Sequence, residues 1–389
     1  MSVEVELGPR ALKLLVDGFA RWLEDSAGRV LELKRELVEL LGPQRMVGGS
    51  RICVAVAYDS GTTVPRLEFV ARTVVLAFVV EVLSLRGVPG QRSVAAALAT
   101  QGGYEQLESG GELSLAARVL EVASAWRRLE SSRDVELVLL DGPLVQGQYL
   151  LGRGEKDPLD ARKLATPSQA ADELRKLLGR GEVSRGVLLR LYASTLLGLA
   201  EVARERGVPI VGVVRRVGST FIRAIAAEQG IRVPNLSDKA IAMLVSSPGH
   251  YVDLGRLRPL LIRYWRCEAG NEEEARRKAR RIEDIVGRIE KRCEEGAALC
   301  SILDETEVLI AWPSRALEPA RIEVYPASAT EEVLRYIEDT ATLSGVPATL
   351  ELADLLAKRI ATAARGVLPT LLAHGTKART LLLPTNLQL

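Results

Sequence analysis

An α/β protein built on a mixed sheet is what this chain predicts, and three observations predict it. Two apolar runs, Ile52 to Asp59 (ICVAVAYD) and Val135 to Asp141 (VELVLLD), each stop at an aspartate followed by Ser-Gly or Gly-Pro. Strands buried on both faces read this way where the backbone has to turn. Between the runs lie a Val-rich stretch and then a helical pattern, which gives room for an antiparallel meander followed by a helix. After the second run, two helical segments lead through Gly207 into a further apolar run, Val208 to Val214, the arrangement of a parallel crossover.

At 389 residues the chain has room for one elaborated domain or two. Its 52 basic and 50 acidic residues leave a net charge of +2, so a nucleic-acid site would be a local patch rather than a field of the whole molecule. With 47% apolar and 26% charged residues, the composition is that of a globular protein without long disorder. The preference for Arg over Lys and the scarcity of Met and Cys suit a thermophile. Cys53, Cys267, Cys293 and Cys300 show no zinc spacing, which favours a reduced, cytoplasmic protein; Cys293 and Cys300 are candidates to pair if the source is a hyperthermophile. The first residues, MSVEVELG, do not read as a signal peptide. Phe69 to Leu85 is the one membrane-like stretch, but Arg72 and Glu81 interrupt it and its valines favour paired strands, so no membrane association is expected.

In chain order, Leu12 to Leu41 carries apolar residues at helical spacing, among them Trp22 and Leu23, and Gly42-Pro43 stops it; residues 1–48 read as an N-terminal helical arm. Leu67 to Leu85 is read as two strands, Gln101 to Gly111 as a loop, and Leu113 to Glu130 as a helix with Leu115, Val119, Ala123 and Trp126 along one face. A polar loop, Gln146 to Ser168, precedes helices at Gln169 to Leu178 and Val187 to Arg206. Then come a short helix at Phe221 to Gln229, a segment Leu236 to Leu244 with Ser237 as N-cap, and a strand at Leu260 to Arg266. His250 reads as a loop residue. Asn271 to Gly296 alternates charge blocks as a solvated helix does. Strands at Glu307 to Trp312 and Arg321 to Tyr325 precede a helical C-terminal region. Helical insertions fall at about 155–206 and 270–297.

Strand, meander, helix, strand, crossover helix, strand is the order of a ribonuclease H-like core. Such a core gathers an Asp from its first strand, an acidic residue from its first helix and an Asp from its fourth strand around one or two divalent ions, which activate water and stabilise the departing oxygen of a phosphodiester. Asp59 and Asp141 take the strand positions. Arg215, Arg216 and Lys239, just beyond a strand and at a helix start, are candidates to meet substrate phosphates. Phosphate-binding loop, GxSxG and HExxH motifs are not found, which argues against ATP hydrolysis, serine chemistry and zinc proteolysis.

The chain resembles the NurA nuclease family of archaea over nearly its whole length. The resemblance is carried by the Asp59 strand, LLDGPL (Leu139 to Leu144), PIVGVVRR (Pro209 to Arg216), LSDK (Leu236 to Lys239), RIEVYP (Arg321 to Pro326) and LPTLLAH (Leu368 to His374). It implies a nuclease domain over 49–389 that uses Mn²⁺, with Mg²⁺ as the alternative, to cut single-stranded DNA and to resect 5′ ends of duplex DNA. It further implies a homodimer working with a HerA-type hexameric ATPase in DNA end resection and break repair. The family's helix glutamate falls on Glu121, with Glu112 as the fallback, and its C-terminal histidine on His374, so that Asp59, Glu121, Asp141 and His374 form the expected metal set. Where the family tends to have Asp-Gly-Ser, this chain has Asp59-Ser60-Gly61, a changed turn that motivates the alternative of a non-catalytic DNA-binding or ATPase-regulating subunit. The apolar tail Thr380 to Leu389 and the arm around Trp22 are the expected docking elements for the ATPase.

Overall fold

The structure, a computed structural model, describes residues 31–63, 73–102, 110–145, 157–180, 184–215, 218–234, 236–268 and 273–374. Trp22, Leu23, Arg216 and the tail from Thr380 lie outside the described residues. In chain order the described elements are α1 (31–41), β1 (Gln44–Arg45), β2 (Val54–Thr63), β3 (Thr73–Leu85), β4 (Val88–Gly102), α2 (Gly110–Ser131), β5 (Leu137–Asp141), α3 (Pro167–Arg180), α4 (Arg185–Arg206), β6 (Ile210–Val214), α5 (Phe221–Glu228) and α6 (Asp238–Val245). They continue through β7 (His250–Arg256), α7 (Leu257–Glu268), α8 (Glu273–Glu294), α9 (Ala298–Glu305), β8 (Glu307–Trp312), β9 (Ala320–Tyr325), α10 (Thr330–Thr340) and α11 (Ala348–His374).

Among the described residues the strands form one nine-stranded mixed sheet in the order β1-β7-β8-β9-β6-β5-β2-β3-β4. Its half from β4 to β6 is the ribonuclease H-like core: β2, β3 and β4 run antiparallel, while β5 pairs parallel to β2 and β6 parallel to β5. Strand alternation explains how one sheet serves two cores. Val56, Tyr58, Val138 and Leu140 face a layer containing α2, α4 and the helices α5 to α9, whereas Ala55, Ala57, Leu137 and Leu139 face α10 and α11. Each leucine of β5 is fully buried, worth roughly 1.5–3 kcal/mol per side chain.

Several expectations are corrected. β2 does not stop at Asp59; it runs to Thr63 paired with β3, because Ser60 to Thr63 find register partners in Val79 to Leu76. The Val-rich stretch is one long strand, β3, and the hairpin turn falls after it at Arg86 and Gly87, both with positive φ of 49° and 75°, as a two-residue turn between right-twisted strands requires. Leu260 to Arg266 is part of a helix, α7, whose Leu257, Leu260, Leu261 and Trp265 are buried at helical spacing; a short apolar run does not distinguish the two states. His250 opens β7 and pairs with Arg45 and Trp312. The α8 helix is charged but not wholly solvated, since Ile282, Ile285, Val286 and Ile289 bury one stripe. Cys293 and Cys300 form a disulfide joining α8 to α9. One described helix, α4, is long and apolar enough to cross a membrane, and 72% of its window is buried inside the protein.

Candidate metal centre

Period-two alternation puts Asp59 on the same face as Ala55 and Ala57, and Asp141 on the same face as Leu137 and Leu139, so both carboxylates project toward α11. The parallel register that matches Tyr58 with Leu140 sets the two aspartates side by side. On α11, Leu350, Ala353 and Ala357 are buried against the sheet and Asp354 falls within that stripe. Carboxylate oxygens of Asp59, Asp141 and Asp354 lie within 4.8 Å of one another. Asp354 was not anticipated. The available signal was a single acid inside the apolar face of LELADLLAKR.

Like charges crowded at a buried strand position oppose ionisation. Burial first, then Asp141, Glu121 and Asp354, push the Asp59 carboxyl up to about 8, against the Ser60 N–H that donates to its Oδ1 at 2.7 Å. For Asp354 burial also favours the neutral form, but Lys358 and Arg215 outweigh it and hold the carboxyl below its ordinary value. Arg215 donates to Asp141 Oδ1 at 3.0 Å and to Asp354 Oδ2 at 2.6 Å. Expected as a phosphate contact, it is in this structure a bridge between two acids.

Glu121 is fully buried on the opposite face of the sheet end. Ser60, of opposite parity to Asp59, donates from Oγ to Glu121 Oε2 at 2.8 Å, and Arg118 pairs with Oε1. Burial pushes Glu121 up to about 7 despite Arg118 and Ser60. From Leu115 to Trp126 every residue of α2 but Arg118 is buried, so Glu121, beside Ala117 and Ser124, is interior. Glu112 lies nine residues earlier on α2, about 13 Å of helix rise, and is not part of this cluster. The same Arg118 donates to the carbonyls of Asp141 and Pro143, tying α2 to the turn after β5.

The reversed Ser-Gly order now has a local account. Ser60 is the group that reaches Glu121, and a Cβ at Gly61 would lie 2.5 Å from the Phe78 ring, so each residue fits its own position on a strand that continues straight. No turn exists there for the exchange to disturb.

The side chain of His374 lies outside the described residues. Its backbone ends α11 twenty residues after Asp354, about 30 Å of helix rise, and it is Asp354 of this helix that lies in the described cluster. Lys239, at the start of α6, pairs with Glu318. The neighbouring Asp238 is buried and caps α5 through the N–H groups of Phe221 and Ile222.

Comparison with known proteins gives a likeness at the level of the whole chain. The chain is similar to NurA nucleases. The NurA nuclease from Sulfolobus solfataricus is 10% identical, with 95% of this chain and 99% of that chain covered and a TM-score of 0.49. A NurA with manganese is 11% identical (91% and 98% covered, TM-score 0.45), and a NurA bound to dAMP and manganese is 13% identical (94% and 96%, TM-score 0.46). No protein-family model matches the sequence. No curated protein matches it either. The reading of the site rests on the strand order and the carboxylate geometry above.

Proposed function

We propose that this protein is a NurA-type, metal-dependent deoxyribonuclease. The observation that carries the reading is the meeting of Asp59, Asp141 and Asp354, with oxygens within 4.8 Å of one another, where Asp59 within β2 lies beside Asp141 at the end of the parallel strand β5 and α11 brings Asp354 against them. An all-carboxylate donor set suits Mn²⁺ or Mg²⁺ better than softer metals, and the raised Asp59 carboxyl marks a place short of positive charge. Asp59, Asp141 and Asp354 would hold the ion, with Glu121 as the fourth carboxylate, fixed by Arg118 and Ser60. When bound, a divalent ion would polarise the phosphodiester and lower the pKa of water. Arg118 keeps the turn after Asp141 in place, and Arg215 and Lys358 set cations beside the cleft where a phosphate would enter. Single-stranded DNA and 5′ duplex ends as substrates, a homodimer, and a HerA-type motor that supplies translocation complete the proposal.

Incubating the purified protein with labelled single- and double-stranded DNA in Mn²⁺, Mg²⁺ or EDTA tests it. Cleavage that requires metal is the expected result. A second reading, a non-catalytic subunit, is favoured by one observation: Arg215 and Lys358 already neutralise Asp354. Intact DNA under every condition, with and without the motor, would select it.

A further inference from the structure

Four hydrogen bonds on one pair of carboxylate oxygens point to an order of events at this site. Arg215 donates from Nη2 and Nε to Asp141 Oδ1 at 3.0 and 3.3 Å, and from Nη1 to Asp354 Oδ2 at 2.6 Å. Lys358 Nζ donates to that same Asp354 Oδ2 at 2.7 Å. Two of the three clustered carboxylates therefore have their charge met by cations of this chain. Both cations line a cleft of about 300 Å³ with Asp141, Gly142, Val213 and Asp354. They differ in hold: the Arg215 side chain is 22% exposed and that of Lys358 66%.

A divalent ion placed among these carboxylates would compete with the two cations for the charge of Asp141 and Asp354. Asp354 Oδ2 already accepts two charged donors, so an ion bound through that oxygen would loosen at least one of them, and the loosened cation would face a cleft open to solvent. A guanidinium or an ammonium so loosened would need a new anion, and a phosphate matches either: the fork of Arg bidentately, Lys as a point charge. We propose that Arg215 and Lys358 form a metal-released phosphate clamp, which neutralises Asp141 and Asp354 in the metal-free protein and grips the substrate phosphate once metal has taken those oxygens. The inference rests on reading the carboxylate cluster as a metal centre. It makes binding ordered: metal first, phosphate second. It also gives the free protein a way to hold three adjacent acids without metal and without splaying them apart.

Titration calorimetry on the full chain separates competition from support. Removing a competitor tightens metal binding, whereas removing a support weakens it. Mn²⁺ affinity is expected to rise by roughly threefold in Lys358→Gln, an exposed pair, and by about tenfold in Arg215→Gln, a charged pair to two acids. The Mn²⁺-loaded variants should bind a nucleoside 5′-monophosphate about tenfold more weakly than wild type. Unchanged or weaker Mn²⁺ binding in the variants would overturn the clamp, as would a monophosphate that binds equally well in EDTA. An equal gain in Lys239→Gln, whose ammonium pairs elsewhere, would reduce the effect to net charge and overturn it too. Should Arg215→Gln fail to fold, the exposed Lys358 decides the sign alone. A wild-type protein that takes up no Mn²⁺ removes the underlying metal reading, an outcome distinct from a metal site whose affinity moves the wrong way.

Discussion

The central strands have two ends, each with a cleft and each with acids and arginines, yet among the described residues only one end crowds its carboxylates together. At the far end, Leu129, Arg133, Glu136, Arg206 and Val208 line a cleft of about 770 Å³, larger than the 300 Å³ beside Asp141. There the polar groups are spent on structure: Glu136 accepts the N–H groups of Cys53 and Val54, and Arg206 donates to the Leu129 carbonyl. At the near end the acids face one another, and Asp59 is pushed up to about 8. Size does not separate the two ends. What separates them is whether carboxylates are satisfied by the backbone or crowded against other carboxylates, and groups in the second condition are the ones that bind cations or move protons.

The strongest way to break this comparison is to neutralise the crowded end. Asp59→Asn or Asp141→Asn is expected to cut metal-dependent DNA cleavage by at least about 100-fold, about 2.7 kcal/mol of transition-state stabilisation, while the metal-free melting temperature holds or rises. Cleavage at the wild-type rate by either variant would remove the site. Asp354→Asn should weaken Mn²⁺ binding by about tenfold, 1.4 kcal/mol, and His374→Ala should leave it unchanged in the same titration. Reversal of that pair would return the C-terminal contribution to the histidine.

Acidity sharpens the comparison further. In the metal-free fold Asp59 ionises near 8, against an ordinary value of 3.8, so between those values the folded chain keeps a proton that the unfolded chain has lost. Its contribution to stability is therefore complete below about pH 4 and is lost as pH rises toward 8. Glu121, raised to about 7, adds to the same slope. Melting in EDTA from pH 4 to 9 should show wild type falling and Asp59→Asn falling less, and Mn²⁺ affinity should climb over the same window as metal replaces protons. A wild-type curve that rises with pH would contradict the crowding.

How much of this was legible in the sequence follows from the kind of signal each residue leaves. Asp59 and Asp141 were legible because apolar strands lead straight to them and a period of two places both on one face. The order of the half from β4 to β6 was legible for the same reason, since buried strands and the crossover helices differ in period. Asp354 was not legible because one acid within the inward stripe of a helix that also carries Glu351, Lys358 and Arg359 leaves no local sign that it faces the sheet. Glu121 lies off the face that carries Leu115, Val119 and Trp126, so local periodicity does not bury it; packing of the sheet and neighbouring helices around the middle of α2 does. β1 is two residues long and pairs at the sheet edge, leaving no periodic trace, and the short run at Leu260 is apolar in either state. Contacts between distant segments, such as Arg215 with Asp354, leave no local pattern at all.

At the far end, Glu136→Gln tests whether acids spent on the backbone matter for function. The carboxylate supports the entry to β2 through two N–H groups, and weakening these bonds is expected to cost about 1 kcal/mol of stability with no change in Mn²⁺ affinity or in cleavage per folded molecule. A cleavage defect beyond the unfolded fraction would show that the two ends are coupled through β2.

The smallest effect belongs to Lys239. From sequence it was a candidate phosphate contact; in the structure its ammonium pairs with Glu318, whose side chain is 58% exposed. An exposed pair of this kind contributes between roughly 0 and 1 kcal/mol, so Lys239→Ala should shift the melting temperature little. The two roles separate on salt dependence. A phosphate contact releases counterions, and its loss would lower the slope of log affinity against log salt by about 0.7 to 0.9, whereas loss of an internal pair leaves that slope in place. The expected result is an unchanged slope for single-stranded DNA across several salt concentrations, with Arg215→Gln and Lys358→Gln lowering it when metal is present. A fall of nearly one unit in Lys239→Ala would instead extend the DNA path from the carboxylates across β6 to the start of α6, and Glu318 would then be the anion that holds the lysine until DNA arrives.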